Sequence, residues 1–229
     1  CSSLEKVIFE DSQTLKSIGE HAFSGCSELT ELTIPESVTN IADSAFSGCS
    51  SLTRMVIPSS VESIGWNIFK ECHLLAYVSL PSSITMIDNF CFDKCISLTK
   101  VFIPSSVTSI GYNAFRSCSS LVEIIIPSSV TSIGYSAFKD CSALQSICIP
   151  SSVNDIGNST FSDCTSLNEI VLPSSINQIE ESTFSGCKSL LNVKIPDSVT
   201  IIETKAFYGC SSLKQITIPS SVVEICENC

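Results

Sequence analysis

Fourteen cysteines and two histidines are the side chains of this 229-residue chain that offer the widest range of chemistry. Thiolates and imidazoles bind metals and act as nucleophiles or bases, and two neighbouring cysteines can form a disulfide. His21 and His73 fall at different points of the sequence pattern, so they are not expected to share a face. The sequence also contains no Gly-rich phosphate loop, nucleophile elbow or zinc-ligand set. It therefore predicts a protein that is not an enzyme and has no metal or cofactor site.

The spacing of the cysteines indicates a structural role for most of them. Nine recur at intervals of 23 residues, at positions 26, 49, 72, 95, 118, 141, 164, 187 and 210. All nine prolines and nine of the twelve phenylalanines recur with the same interval. Such a period is the signature of a solenoid, in which each unit buries its apolar side against the next. We predict one domain, made of an irregular first unit (1–25), eight 23-residue units (26–209) and a partial last unit (210–229).

Each unit is numbered here from its cysteine, which is position 1. One unit displays the whole pattern: Cys118, Leu121, Ile124, Ile126, Pro127, Ser129, Val130, Ile133, Gly134, Ala137 and Phe138. Positions 7 and 9 alternate with 6 and 8, which predicts a strand of about five residues that ends at the proline, because proline has no N–H. The serine at position 12 is expected to bind backbone groups of the neighbouring turn. Positions 18 to 22, such as 112–116, are predicted to form a short helical turn.

The apolar spacing carries a family resemblance. The segment Leu-x-x-(Ile/Val/Leu)-x-(Ile/Leu) resembles the leucine-rich repeat, with serine at the family's usual asparagine position. The elements Ile-Pro-x-Ser-Val, Ile-Gly and Ala-Phe-x-x-Cys look like the BspA-like, or Treponema-type, class, and they extend over the whole chain. The first unit departs from the pattern, with two extra residues and Glu10 in place of proline. The resemblance implies an α/β solenoid, a right-handed superhelix of about ten coils with a parallel sheet on its concave face.

Two interpretations of the cysteines stay open. The regularly spaced thiols are expected to be buried free thiols, although the spacing of stacked coils would also tolerate disulfides. Cys91 takes a buried alanine place, whereas Cys148 lies at an outward strand position. Cys226 and Cys229 form a lone Cys-x-x-Cys that is either an ordinary substitution or a metal or redox pair.

Positions 6 and 8 of successive strands are predicted to form two outward columns on the sheet. They supply the candidate ligand-binding residues Tyr77, Lys100, Phe102, Glu123, Ile125, Cys148 and Val171. Exposed apolar patches often mark binding sites. The alternative is that β-branched and aromatic residues occur there because they suit strands.

Charge and hydropathy exclude other classes of partner. Twelve basic and 23 acidic residues give a net charge of −11, which argues against nucleic-acid binding. No apolar run reaches the ~18 residues of a membrane span. The chain opens on Cys1 within the repeat pattern, as expected for a piece of a longer protein. Asn158-Ser159-Thr160 is the single glycosylation sequon.

Relatives in the BspA-like class are surface proteins of bacteria and of parasitic or mucosal protists, and several are implicated in adhesion to host proteins. The resemblance therefore implies a non-enzymatic protein-binding module at the cell surface or in the secreted fraction. It implies that the module adheres to a host extracellular or cell-surface protein through the concave sheet. The alternative is a cytoplasmic scaffold for protein–protein interactions.

Overall fold

The repeat folds into short strands joined by turns. The computed structural model describes residues 1–10 and 12–229, which form sixteen strands. In chain order they are β1 (Ser17–Ile18), β2 (Asn40–Ile41), β3 (Arg54–Val56), β4 (Ser63–Ile64), β5 (Tyr77–Ser79), β6 (Met86–Ile87), β7 (Ser109–Ile110), β8 (Glu123–Ile125), β9 (Ser132–Ile133), β10 (Ser146–Cys148), β11 (Asp155–Ile156), β12 (Glu169–Val171), β13 (Gln178–Ile179), β14 (Asn192–Lys194), β15 (Ile201–Ile202) and β16 (Glu224–Ile225).

The three-residue strands confirm the predicted strand at positions 6 to 8. β8, β10, β12 and β14 form one parallel sheet, and β3 pairs with β5 in another. Single parallel bridges between Phe102 and Ile125, and between Lys194 and Thr217, add further coils. The observed strands are shorter than the predicted five residues, and the proline just beyond each one has no N–H with which to continue the ladder.

A second line of strands at positions 15 and 16 was not predicted. Its strands have two residues each and pair in parallel as β1-β2-β4, β6-β7-β9-β11 and β13-β15-β16. In most of them the isoleucine at position 16 is buried while its neighbour at position 15 faces outward, as at Asn40–Ile41. Two residues are too few to produce a recognisable alternation in the sequence.

The predicted helical turn at positions 18 to 22 is wrong. In the segment 112–116 and just beyond it, the amides of Asn113, Phe115 and Ser117 donate hydrogen bonds to carbonyls of the next coil. Asn113 and Ser117 also have positive φ angles of 54° and 58°, outside the helical region. Alternate amides are thus committed to the neighbouring coil, so the i to i−4 bonds of an α-helix cannot form.

The solenoid core is a set of ladders that run from coil to coil. Phenylalanine rings at position 21 stack in succession, with ring centroids 5.2 Å apart between Phe92 and Phe115 and 5.3 Å between Phe115 and Phe138. The predicted role of the position-12 serine is confirmed in six of the nine repeats, as where the Ser129 hydroxyl donates to the Val107 carbonyl at 2.5 Å.

The architecture is a parallel β-solenoid of about nine coils with no helix among residues 1–10 and 12–229. The helical part of the predicted α/β class is therefore not confirmed. The count of ten coils is not confirmed either, because at positions 6 to 8 the first and last units are joined to their neighbours only by the single bridges of Lys6 with Glu31 and of Thr217 with Lys194. The concave position of the sheet and the right-handed superhelix stay predictions.

Candidate functional site

The outward side chains of positions 6 and 8 form one surface, termed here the strand face. Parallel register places Ile125, Cys148 and Val171 side by side on β8, β10 and β12. A backbone bridge places Phe102 beside Ile125. Phe102 is 74% exposed and Ile125 70%, and Cys148 and Val171 are exposed as well. Four consecutive coils thus present a continuous apolar column to solvent.

The position-6 column beside it is polar. Lys100 donates to Glu123 at 2.6 Å, and this hydrogen bond, together with the lysine charge, lowers the pKa of the Glu123 carboxyl. The pair is well exposed, so it adds little to stability. The pair places one positive and one negative charge beside the apolar column. A partner that binds the column would meet both charges.

Tyr77 lies at position 6 one coil before Lys100, at the edge of the candidate group. Its strand β5 pairs with β3, and no strand pairing joins β5 to the Phe102 bridge within the described part of the chain. The Arg54 guanidinium lies over the Tyr77 ring at 4.8 Å from its centroid. The strand face therefore has a contiguous group of six candidates with Tyr77 at its edge.

The regularly spaced thiols are held inside the solenoid. Cys118 Sγ donates to the Phe92 carbonyl at 3.2 Å, and the same bond recurs from Cys49 to Cys210. Burial raises the pKa of Cys49 to about 12 and raises that of Cys118 further. All fourteen cysteines are free thiols in this arrangement, which agrees with the packing interpretation.

The remaining chemically capable residues do not assemble into a constellation. His21 is exposed beside Glu20, at 3.4 Å, whereas His73 lies in a different turn three units further on. Cys229 Sγ donates to the Glu203 backbone carbonyl at 3.0 Å. Across residues 1–10 and 12–229, no three His, Cys, Asp or Glu side chains are grouped so as to hold a metal ion.

One exposed group was missed in the sequence. Trp66, Tyr112 and Tyr135 all occupy position 18 and form a second outward line, termed here the aromatic column. The signal was available, because each residue follows a glycine in an Ile-Gly-aromatic triplet. It was overlooked because position 18 fell inside the segment predicted to be helical.

Comparison with known families gives a match over the whole chain. The model described as BspA type leucine rich repeat region, in six copies, matches residues 1–122 and 109–229. A comparison with curated proteins gives no significant match. Where the structure describes the chain, it has no helix with the length and apolar character needed to cross a bilayer.

Solved structures of bacterial proteins share the fold. A leucine-rich repeat protein from Bacteroides ovatus is 30% identical to this chain and superposes with a TM-score of 0.73. The match covers 95% of this chain and 69% of the Bacteroides ovatus chain. A leucine rich cell surface protein from Faecalibacterium prausnitzii is 33% identical to this chain, with a TM-score of 0.61. The match covers 94% of this chain and 70% of the other. A leucine rich repeat protein from T. pallidum is 31% identical to this chain, with a TM-score of 0.58. The match covers 78% of this chain and 72% of the other.

Proposed function

Because this chain belongs to the BspA-type leucine-rich-repeat family, we propose that it is a non-enzymatic protein-binding module of a surface protein and that it contacts its partner through the strand face. The surface location is supported by the Faecalibacterium prausnitzii relative, which is described as a cell surface protein. Adhesion to a host extracellular or cell-surface protein is the form of binding that we propose.

The observation that carries the proposal is the exposure of Phe102 within an apolar column. The phenylalanines that fill position 21 stack inside the solenoid, but Phe102 lies at position 8 and points into solvent. Binding energy in protein interfaces concentrates in a few central residues, and aromatic side chains are enriched among them. Ile125 lies beside this ring on the next coil, and Val171 extends the column with aliphatic area two coils further on.

The experiment begins with a parallel pull-down from host extracellular-matrix proteins and from cell lysate. With a captured partner in hand, Phe102→Ser is expected to weaken binding by ~1–3 kcal/mol, the size expected for an interface anchor. Its melting temperature should stay close to that of the parent, because the ring is exposed. Ile96→Ser is the matched control, since Ile96 is an exposed aliphatic residue of the same unit outside the strand face. Full affinity in Phe102→Ser would remove the strand face from consideration.

A second candidate, an intracellular scaffold for protein–protein interactions, is favoured by the fourteen free thiols, since reduced cysteines are typical of the cytosol. Labelling of intact source cells with a membrane-impermeant reagent separates the two. Labelling without lysis supports the surface module, and labelling only after lysis supports the scaffold.

A further inference from the structure

The aromatic column is separate from the strand face and has no part in the proposed protein binding. It contains the only tryptophan of the chain and two of its four tyrosines. Trp66 is 46% exposed, Tyr112 58% and Tyr135 49%. These rings are neither in the core nor on the sheet, so neither core packing nor strand propensity accounts for them.

The backbone fixes the spacing of the three rings. The carbonyls of Trp66, Tyr112 and Tyr135 each accept a hydrogen bond from the amide of the preceding coil, at 2.8 to 2.9 Å. Position 18 is thus a ladder with the spacing of stacked backbone, about 4.8 Å per coil. Tyr112 and Tyr135 lie one coil apart, and Trp66 lies two coils before Tyr112, about 10 Å away.

Side chains of the same column hold the aromatic residues in place. Asp43 Oδ1 accepts a hydrogen bond from the backbone amide of Trp66 at 3.1 Å. Asn89 Oδ1 accepts one from the backbone amide of Tyr112 at 2.8 Å. The Tyr112 ring lies close against the next coil, where a Cβ added to Gly134 would come within 2.9 Å of its Cδ1. Glycine at that place leaves room for the ring, while the outer side of the ring remains open to solvent.

The charge pattern of the column selects a class of ligand. Position 18 is uncharged over five coils, from Trp66 through Asn89 to Asn158, and acidic residues bound it at Asp43 and Glu181. An anionic ligand would meet these carboxylates and a net charge of −11. A neutral ligand with apolar faces can stack on the aromatic rings. Hydroxyl groups at its edges can bind the side-chain amides of the asparagines in the same column.

From this arrangement we propose that the aromatic column binds a neutral, linear polysaccharide. The electron-rich faces of Trp66, Tyr112 and Tyr135 stack on the C–H faces of sugar rings, with one unstacked sugar beside Asn89, between the partners of Trp66 and Tyr112. The amides of Asn89 and Asn158 lie in the same line and bind sugar hydroxyls. The length of one sugar residue in an extended chain is close to the spacing of one coil, so the sugar chain runs along the solenoid axis.

The single tryptophan provides a built-in probe. Soluble mixed-linkage β-glucan and mannan are added to the protein, with alginate as the anionic comparison. We expect a neutral glycan to shift the Trp66 emission and to retard the protein in an affinity gel, and we expect alginate to do neither. Failure of both neutral glycans, or a preference for alginate, would overturn the proposal.

Substitutions locate the site. Tyr112→Ala is expected to weaken glycan binding about tenfold, and the combination of Tyr112→Ala with Tyr135→Ala is expected to weaken it further. Tyr208→Ala is the matched control, because Tyr208 is 58% exposed and occupies position 22, outside the column. Circular dichroism and melting temperature verify the fold of each variant. Unchanged glycan affinity in the double variant would overturn the proposal.

A last pair of measurements distinguishes this site from the strand face. Phe102→Ser should keep full glycan affinity, and the double tyrosine variant should keep full affinity for the captured protein. Loss of protein binding in the double variant, with no glycan bound by the parent, would show that the aromatic column is instead a protein contact.

Discussion

Cys118 Sγ lies 3.2 Å from the backbone carbonyl oxygen of Phe92, a residue 26 positions earlier and one coil away. The thiol therefore crosses a coil boundary and satisfies a buried carbonyl. The Cys118 amide meanwhile donates to the Phe115 carbonyl within its own turn, at 3.1 Å. One cysteine thus closes a turn with its amide and joins it to the neighbouring coil with its thiol; an apolar residue of the same size would keep the first bond and lose the second.

Native thiol reactivity should divide by position. Under iodoacetamide at mild alkaline pH, we expect Cys148 to be modified fastest and Cys95, Cys118 and Cys141 to react only after denaturation, because burial hides these thiols and disfavours the thiolate. Peptide mass spectrometry reads the sites, and Cys148→Ser confirms the assignment. Disulfides between successive buried cysteines would contradict this expectation.

Stability should fall at alkaline pH because of the same thiols. Burial raises the pKa of Cys49 to about 12 and of Cys210 to about 11 from an ordinary 9.0. Between pH 9 and these values the unfolded chain loses protons that the folded chain keeps. Each such thiol then lowers the free energy of unfolding by about 1.4 kcal/mol per pH unit, and below pH 9 its contribution is intact.

The measurement is denaturant unfolding at a series of pH values from 7 to 11. Cys118→Ala should show a shallower decline above pH 9 than the parent, since it lacks one buried thiol whose pKa is raised. Equal slopes in the two proteins would show that thiol ionisation does not govern alkaline stability.

Phe115→Ala tests the aromatic stack. Phe115 is fully buried between Phe92 and Phe138, so its removal should cost about 3–5 kcal/mol and weaken both coil interfaces. Phe102→Ala removes the same side chain from the strand face and should change stability by at most about 0.5 kcal/mol. Chemical denaturation of both variants checks this, and an unchanged midpoint for Phe115→Ala would contradict the stacked core.

The serines at position 12 allow two variants to be compared at equivalent places in neighbouring coils. Ser129→Ala deletes the bond to the Val107 carbonyl and should cost about 1 kcal/mol. The buried Ser106 hydroxyl has no hydrogen-bond partner among the described residues, so Ser106→Ala should be neutral or stabilising. Similar losses in the two variants, measured by thermal unfolding, would show that the hydrogen bond of Ser129 does not contribute the stability expected of it.

Sequence periodicity predicted the inward and outward positions of the strand face correctly. Ile124 is buried and Ile125 exposed, although the two are chemically identical, because alternation and not residue type sets the direction. Periodicity could not predict the two-residue strands, which are stabilised by pairing between coils that are distant in sequence. It also mistook the segment 112–116 for a helix, because local spacing does not reveal which amides bind the next coil. The exposed Tyr112 was hidden by that error.

The constant register between coils makes the length of this protein modular. If residues 118–140 were lost, the coil of 95–117 would meet the coil of 141–163, and Cys141 would find the Phe92 carbonyl that Cys118 now uses. Ser152 would likewise reach the Val107 carbonyl in place of Ser129. Unequal recombination between the repeated gene segments can therefore lengthen or shorten the solenoid by whole coils. Each such event preserves these hydrogen bonds between coils. It changes the length of the strand face and of the aromatic column by whole coils.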